Sequence, residues 1–515
     1  MKSRFGLIAV ACCMSCLCVL PADADETVPP NVIVIFADDL GYGDVGCFNE
    51  QCPFKTPRLD KMAAEGAKLT SFYVPMPYCA PSRGTLLTGR YPFRHTVVRN
   101  PAPDVGQNSI GLPPSEITIA ELLKSAGYQT AAFGKWHLGH IQKWLPRRQG
   151  FDEYLGILYS NDMFPVQLIR NENVAEYPVV QSNLTRRYTD MTIEFIREHR
   201  ERPFFVYLPH AMPHKPLAAS DAFYTPDTPD DLYADVIAEL DHEIGRLLDE
   251  LKNLGIDDNT LVLFTSDNGA WYGGSNGRLR GMKATTWEGG IRVPCIARFP
   301  GVIPEGIVNS ELAGTIDILP TLCALAGVAV PNDRTIDGRD ILPMFKDADA
   351  NSPHEAIFAM SGPQLATIRS GRWKLHVRGR LRRMFPDLTE AERANWIDPR
   401  RPDGVAIIAP YEQAKPNQHP GVITGDSPGG IMLFDLEADP SEQKNVAQAH
   451  PEIVRRLRTQ FDALDREVPE YVDPPREYLL RRDKNGRGPL MRLMGGELRY
   501  DRIPPSQRHL LVDPE

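Results

Sequence analysis

Four apolar runs of strand length limit what this chain can fold into more than any other feature. They are Asn31 to Phe36, the run ending at Phe133, Pro203 to Leu208, and Thr260 to Phe264. They are close to continuously apolar, and the first and last are rich in β-branched residues, which fits strands buried on both faces of a parallel sheet. Helical patterns lie between them, at Ile117 to Lys124 and at Leu232 to Leu254, where Gly255 supplies the stop. This alternation predicts an α/β fold with a large, mostly parallel sheet flanked by helices.

Each run ends in residues able to bind a metal, an anion or a proton. Asp38 and Asp39 follow the first, Lys135 and His137 the second, His210 and His214 the third, and Asp267 and Asn268 the fourth. Ligands of open α/β sheets bind outside the carboxyl ends of the strands, so these residues are expected to converge on one rim. Lys135 and His137 alternate onto one side, and of the two later histidines His214 is favoured for function. Asp38, Asp39, Asp267 and Asn268 would form an all-oxygen shell, which fits calcium best and magnesium next. No His/Cys cluster at ligand spacing points to zinc. Gly281 to Pro294 holds several glycines around Lys283, which suggests a loop of close approach aimed at an anion.

At 515 residues the chain exceeds what one core serves, and its character shifts near residue 345. Residues 25–345 and 346–515 are therefore expected to form a larger and a smaller domain. The second should hold an antiparallel sheet from Ile357 to Met360 and Leu365 to Val377, long loops from Arg378 to Gly430, and a helix from Pro451 to Leu464. A net charge of −10 argues against a nucleic-acid or anionic-membrane binder. Any polyanion would need a local basic region, and Arg369, Arg372, Lys374, Arg378, Arg380, Arg382 and Arg383 offer one, with His376 among them. They also read, by a narrow preference, as a charged strand edge that blocks aggregation.

Residues 1–24 read as a signal peptide: Lys2 and Arg4, an apolar run shorter than the ~20 residues that span a bilayer, then small residues. Cys12 leaves lipoprotein anchoring as an alternative. No later stretch looks transmembrane. The mature chain keeps Cys47, Cys52, Cys79, Cys295 and Cys323, an odd count in which Cys79 is expected to be unpaired and Cys47 with Cys52 could close a small loop. Cys79 precedes Pro81-Ser82-Arg83 at an expected helix N-terminus, where the dipole would lower a thiol pKa and favour an anionic ester.

Cys79-Ala80-Pro81-Ser82-Arg83, with Leu87-Thr88-Gly89-Arg90 after it, resembles the signature of the type I, formylglycine-dependent sulfatases. Phe36 to Gly46, Phe72 to Arg94 and Phe264 to Gly269 look most like the arylsulfatase A and N-acetylgalactosamine-6-sulfatase branch. The resemblance implies an alkaline-phosphatase-like fold and oxidation of Cys79 to Cα-formylglycine by a maturation enzyme. It implies that Asp38, Asp39, Asp267 and Asn268 hold calcium, and that Arg83, Lys135, His137, His214 and Lys283 line the site. Ser160 matches a polar substrate-side residue, although Asn161 follows where that branch has His. In the implied reaction one hydroxyl of the hydrated aldehyde attacks sulfur and His214 protonates the leaving alcohol. The second hydroxyl, helped by His137, then expels sulfate from the sulfoenzyme. The expected substrate is a sulfated sugar unit of a polysaccharide met in the periplasm, outside the cell or in a lumen. The alternatives are a phosphomonoester or phosphonate hydrolase of the same superfamily, or a secreted glycan-binding protein without catalysis.

Overall fold

The computed structural model describes residues 29–102, 109–163, 166–177, 179–225, 232–271, 273–379 and 427–474. The leader read at 1–24, with its cysteines, lies outside them, as do Arg380, Arg382 and Arg383.

The expected runs form neighbouring strands. In chain order the large sheet is built from β1 (Asn31–Ala37), β2 (Ala67–Tyr73), β3 (Gln129–Phe133), β4 (Glu153–Ile157), β5 (Leu168–Arg170), β6 (Asn173–Glu176), β7 (Phe204–Pro209), β8 (Thr260–Ser266), β9 (Arg292–Arg298), β10 (Ile307–Asn309) and β11 (Ala313–Gly314). Spatially the order is β10-β2-β9-β8-β1-β7-β3-β4-β5-β6, with β11 beside β2. The centre, β8-β1-β7-β3-β4, is wholly parallel. Antiparallel pairs flank it, β8 with β9 on one side and β4 with β5 on the other.

β1 shows why its sequence is nearly all apolar. Ile33, Ile35 and Ala37 face one core, packed by helices Pro57–Ala64, Leu184–His199 and Leu232–Asn253. Val32, Val34 and Phe36 face the other, with helices Cys79–Thr88, Ile119–Ser125 and Ile318–Ala326. A strand with two dry faces has no position for a polar residue until it ends.

The helix expected from Ile117 begins two residues later, because Thr118 caps it. The Thr118 hydroxyl accepts from Glu121 N at 3.2 Å, and the Glu121 carboxylate accepts from Thr118 N at 2.8 Å. The long helix stops at Asn253, and Gly255 takes the left-handed conformation at φ 69°.

The smaller antiparallel sheet comprises β12 (Ile357–Ser361), β13 (Gln364–Ser370), β14 (Trp373–His376) and β15 (Met432–Asp435), in that spatial order. Helix Pro451–Asp465 covers it through Leu457 and Phe461. Among the described residues, Arg369 to Arg378, neither reading of the basic segment is supported. β13 and β14 are interior strands rather than edges, and their cations are consumed in ion pairs. Lys374 is fully buried between Glu288 and Glu442, Arg372 pairs with Asp435 and Glu437, and Arg378 pairs with Asp465. Cys47 and Cys52 are not bridged; both are free thiols packed at the margin of one core.

Candidate active site

The parallel register delivers the acidic residues side by side. Ala37 pairs with Ser266, so Asp38-Asp39 and Asp267-Asn268 leave adjacent strands at the same height. The Asp39 N–H donates to Asp267 Oδ1 at 3.1 Å, and Asn268 Nδ2 donates to Asp39 Oδ1 at 2.8 Å. β3 ends next to β7, and Lys135 N donates to the Pro209 carbonyl at 2.7 Å. Gly134 permits that approach: at φ 144° it avoids the strain of a side chain, and a Cβ there would lie 1.9 Å from the Pro209 oxygen. Gly269 does the same for the loop carrying Lys283, since a Cβ at 269 would lie 1.7 Å from the Gly289 oxygen.

These approaches gather the cations around the carboxylates. Arg83, from helix Cys79–Thr88, donates to Asp267 Oδ2 at 2.9 Å and to the Lys135 carbonyl at 2.8 Å. Lys135 pairs with Asp38 and donates to Ser160 Oγ at 3.0 Å. Lys283 Nζ lies 2.6 Å from Asp39 Oδ1 and 3.2 Å from Cys79 Sγ. His214 Nε2 sits 3.5 Å from Asp39 Oδ2 and 3.1 Å from Ser160 Oγ. Ten residues expected from sequence, together with Ser160, thus form one buried cluster except at His137, which stands slightly apart. Its Nε2 is 3.0 Å from the Pro101 carbonyl, and its ring is surrounded by the charges of Lys135, Arg83 and Asp38. His210 stays outside, packed against Tyr188. Burial pushes its pKa down to about 3.

Backbone strain concentrates here. Asp39, His137 and Ala284, the neighbour of Lys283, hold φ of 68°, 58° and 73°. Non-glycine residues in that region cost energy, and such costs are met where geometry is needed for chemistry.

Burial raises the Cys79 thiol well above its ordinary pKa, and the Asp38 charge adds to this. Burial outweighs the depression expected from the helix terminus, whose N–H groups are also engaged. Asn100 Oδ1 takes the Ala80 N–H at 3.0 Å, Pro81 has none, and Ser82 N bonds back to the Tyr78 carbonyl. An anion here meets lysines rather than a free helix end. Burial and Asp38 push Asp267 up to about 7, whereas Lys135, His214 and Arg83 outweigh burial at Asp38 and hold it well down.

Three oxygens of the acidic set, Asp38 Oδ1, Asp39 Oδ2 and Asn268 Oδ1, are buried and receive no hydrogen bond among the described residues. Unsatisfied buried oxygens are costly. Hard oxygens from two carboxylates and an amide, beside Asp267, fit a divalent hard cation.

Sequence reasoning missed the supports. Asn161 Nδ2 donates to the carbonyls of His214 and Pro216, fixing the histidine segment, and Asp162 approaches Lys215 at 3.4 Å. The polar run Ser160-Asn161-Asp162 directly after β4 was the available signal. Asn100 had none, because it acts from a loop distant in sequence.

A family profile named Sulfatase matches residues 30–328. Arylsulfatase A of Homo sapiens is 35% identical over 484 residues, covering 86% of this chain and 89% of that protein. N-acetylgalactosamine-6-sulfatase of Rattus norvegicus is 39% identical over 398 residues, covering 71% and 74%. Among solved structures, Ps i-CgsB in complex with k-i-k-neocarrahexaose superposes with a TM-score of 0.68 at 27% identity, covering 86% of this chain and 94% of that one. With these relatives matching most of its length, this chain belongs to the sulfatase family and is a sulfuric ester hydrolase.

Proposed function

We propose that the chain removes sulfate from sugar units of a sulfated polysaccharide, using a formylglycine derived from Cys79 and a calcium ion held by Asp38, Asp39, Asp267 and Asn268. The observation that carries this reading is the position of Lys283, whose ammonium touches both Cys79 Sγ and Asp39. A nucleophile at position 79 would therefore stand between the oxygen shell and a cation able to receive sulfate oxygens. The neighbour solved with a carrahexaose and the N-acetylgalactosamine-6-sulfatase relatives support a sulfated sugar.

Once formed, the hydrated aldehyde supplies one hydroxyl to attack sulfur and a second whose deprotonation releases sulfate; the cation supplies charge to the sulfate oxygens. The chain's own residues do the rest. Lys135 and Lys283 bind the anion and the charge that develops on it. The Pro101 carbonyl can only accept, so His137 carries its proton on Nε2 and keeps a lone pair on Nδ1. That Nδ1 is buried without a partner among the described residues, and burial, with Lys135 and Arg83, favours the neutral ring. It is thereby suited to be a base. His214 donates Nδ1–H to the Lys215 carbonyl, so Nε2 can protonate the leaving alcohol only from the imidazolium, a form that burial disfavours and the facing Asp39 and Asp162 carboxylates favour. Ser160 links it to Lys135.

Mass spectrometry of the Cys79 peptide, with assays of aryl sulfate against aryl phosphate, tests the reading. Conversion of the thiol to aldehyde and preference for sulfate are expected. A Cys79→Ser variant should trap sulfate at best once, and steady turnover by it refutes the mechanism. Faster hydrolysis of phosphate would transfer the site to the phosphomonoesterases.

A further inference from the structure

The rim continues past the catalytic cluster. β4 runs parallel beside β3, so its carboxyl end opens on the same side. Beyond Ile157 the chain passes through Leu158, Tyr159 and Ser160 along a cavity of about 290 Å³. Ser160 belongs to both places: it lines the cavity, and its Oγ reaches Lys135 and His214. Tyr159 forms a second shared wall. Its ring stands at 85° to that of His137 with centroids 6.4 Å apart, and its hydroxyl is hydrogen-bonded to His140 Nδ1.

The remaining walls are largely apolar, including Met163, Val166, Ile169 and Val174. Val174, on the terminal strand β6, is 53% exposed, and Ile141, next to His140, is 42% exposed. Apolar side chains are thus left in water beside a cavity close to the lower size of ligand pockets, about 300 Å³. Among the described lining residues the only formal charge is the Glu172 carboxylate, which pairs with Arg148. Burial lowers the His140 pKa, which disfavours a cation on that ring. A second sulfate placed here would meet a carboxylate and no lining cation, and would lose its hydration unpaid.

We propose that this cavity is the subsite for the alcohol part of the ester, and that it accepts a neutral, unsulfated group with an apolar face, either one sugar ring or an aryl ring. The inference rests on the sulfate-ester reading of the adjoining cluster and adds which part of the substrate enters the pocket and that it carries no second anion.

The test is calorimetric binding to the full-length Cys79→Ala protein, which cannot turn over, using inorganic sulfate, phenyl sulfate, a hexose monosulfate and a hexose disulfate. Val174→Asp places charge on a half-exposed strand position and leaves the core intact. It should weaken phenyl sulfate or the hexose monosulfate about tenfold, the scale of a lost apolar contact in a pocket. Inorganic sulfate should bind unchanged, and Val174→Leu should bind both esters as the parent does. Loss confined to phenyl sulfate assigns an aryl group, and loss confined to the monosulfate or shared by both assigns a sugar ring. The disulfate should bind more weakly than the monosulfate. Equal loss for inorganic sulfate and the esters, no loss for either ester, or tighter binding of the disulfate overturns the proposal. Failure of turnover in the unmodified enzyme would instead refute the reaction and leave these affinities standing.

Discussion

Lys374→Met should be among the most destabilising single changes in the chain, and it should reach the active site without touching it. The Lys374 ammonium lies 3.0 Å from Glu288 Oε1 and 3.0 Å from Glu442 Oε1, and all three side chains have zero exposure. Methionine fills similar volume, so packing is nearly conserved and the perturbation is electrical. Two buried carboxylates lose the cation they share, which costs about 3–5 kcal/mol where a buried pair is broken from one side. Tyr73 donates to Glu288 Oε2 at 2.7 Å and His376 Nε2 lies 2.8 Å from Glu442 Oε1, so part of the charge stays solvated by protein and the lower half of that range is expected. The effect should travel. Glu442 Oε2 accepts from Glu288 N at 2.6 Å, and Glu288 opens the short helix that follows the Lys283 loop, so loosening this network releases Lys283. Urea unfolding should give the loss in stability, and KM for an aryl sulfate should rise more than kcat falls. Adding Glu442→Gln should recover part of the stability, because one unpaired charge is removed. A loss below about 1 kcal/mol, or a double variant weaker than the single one, would show that these charges are not desolvated as their burial implies.

Acid should destabilise the fold through the same network. Burial would raise the Glu442 carboxyl, but Lys374 and His376 outweigh it and hold it at about 2. A depressed acid stabilises the fold fully above its ordinary value of 4.5, and that contribution is lost as pH falls from 4.5 toward 2. His376, lowered by burial, adds a loss that begins below 6.5. Stability measured by denaturation should therefore decline from pH 6.5 downward, and a flat profile to pH 3 would refute the assignment. Chelation should lower both activity and melting temperature by exposing Asp38, Asp39 and Asn268 to repulsion and unsatisfied burial; no change in either would leave the oxygens without a cation to explain them. Ser160→Ala should cut kcat for an aryl sulfate about tenfold by removing one hydrogen bond in the Lys135–His214 link, with the melting temperature nearly unchanged.

The fold and the cluster were legible in sequence for one physical reason. Strands buried on both faces must be continuously apolar, so polar residues can appear only where they end, and in a parallel sheet those ends share a rim. Asp38, Lys135, His214 and Asp267 all follow from that rule. What could not be read depended on partners brought by topology. The thiol of Cys79 and the charges of Arg369 to Arg378 look reactive or exposed as letters, yet Asn100 occupies the helix end and Glu288 and Glu442 occupy the lysine. None of these three partners is adjacent in sequence. The pair Cys47 and Cys52 looked close enough to bridge, but spacing carries no information about the direction of their side chains.

Cys79 has zero exposure, closed in by Lys283, Asp38 and its own helix. If Cys79 is the proposed formylglycine precursor, an oxidising enzyme could grip it only before those elements dock, and maturation would compete with folding for the same nascent chain. Molecules that collapse first would then keep the thiol, and specific activity would record how that race was run. A preparation refolded from denaturant beside the converting enzyme should gain aldehyde, whereas the same enzyme added to folded, unconverted protein should yield none.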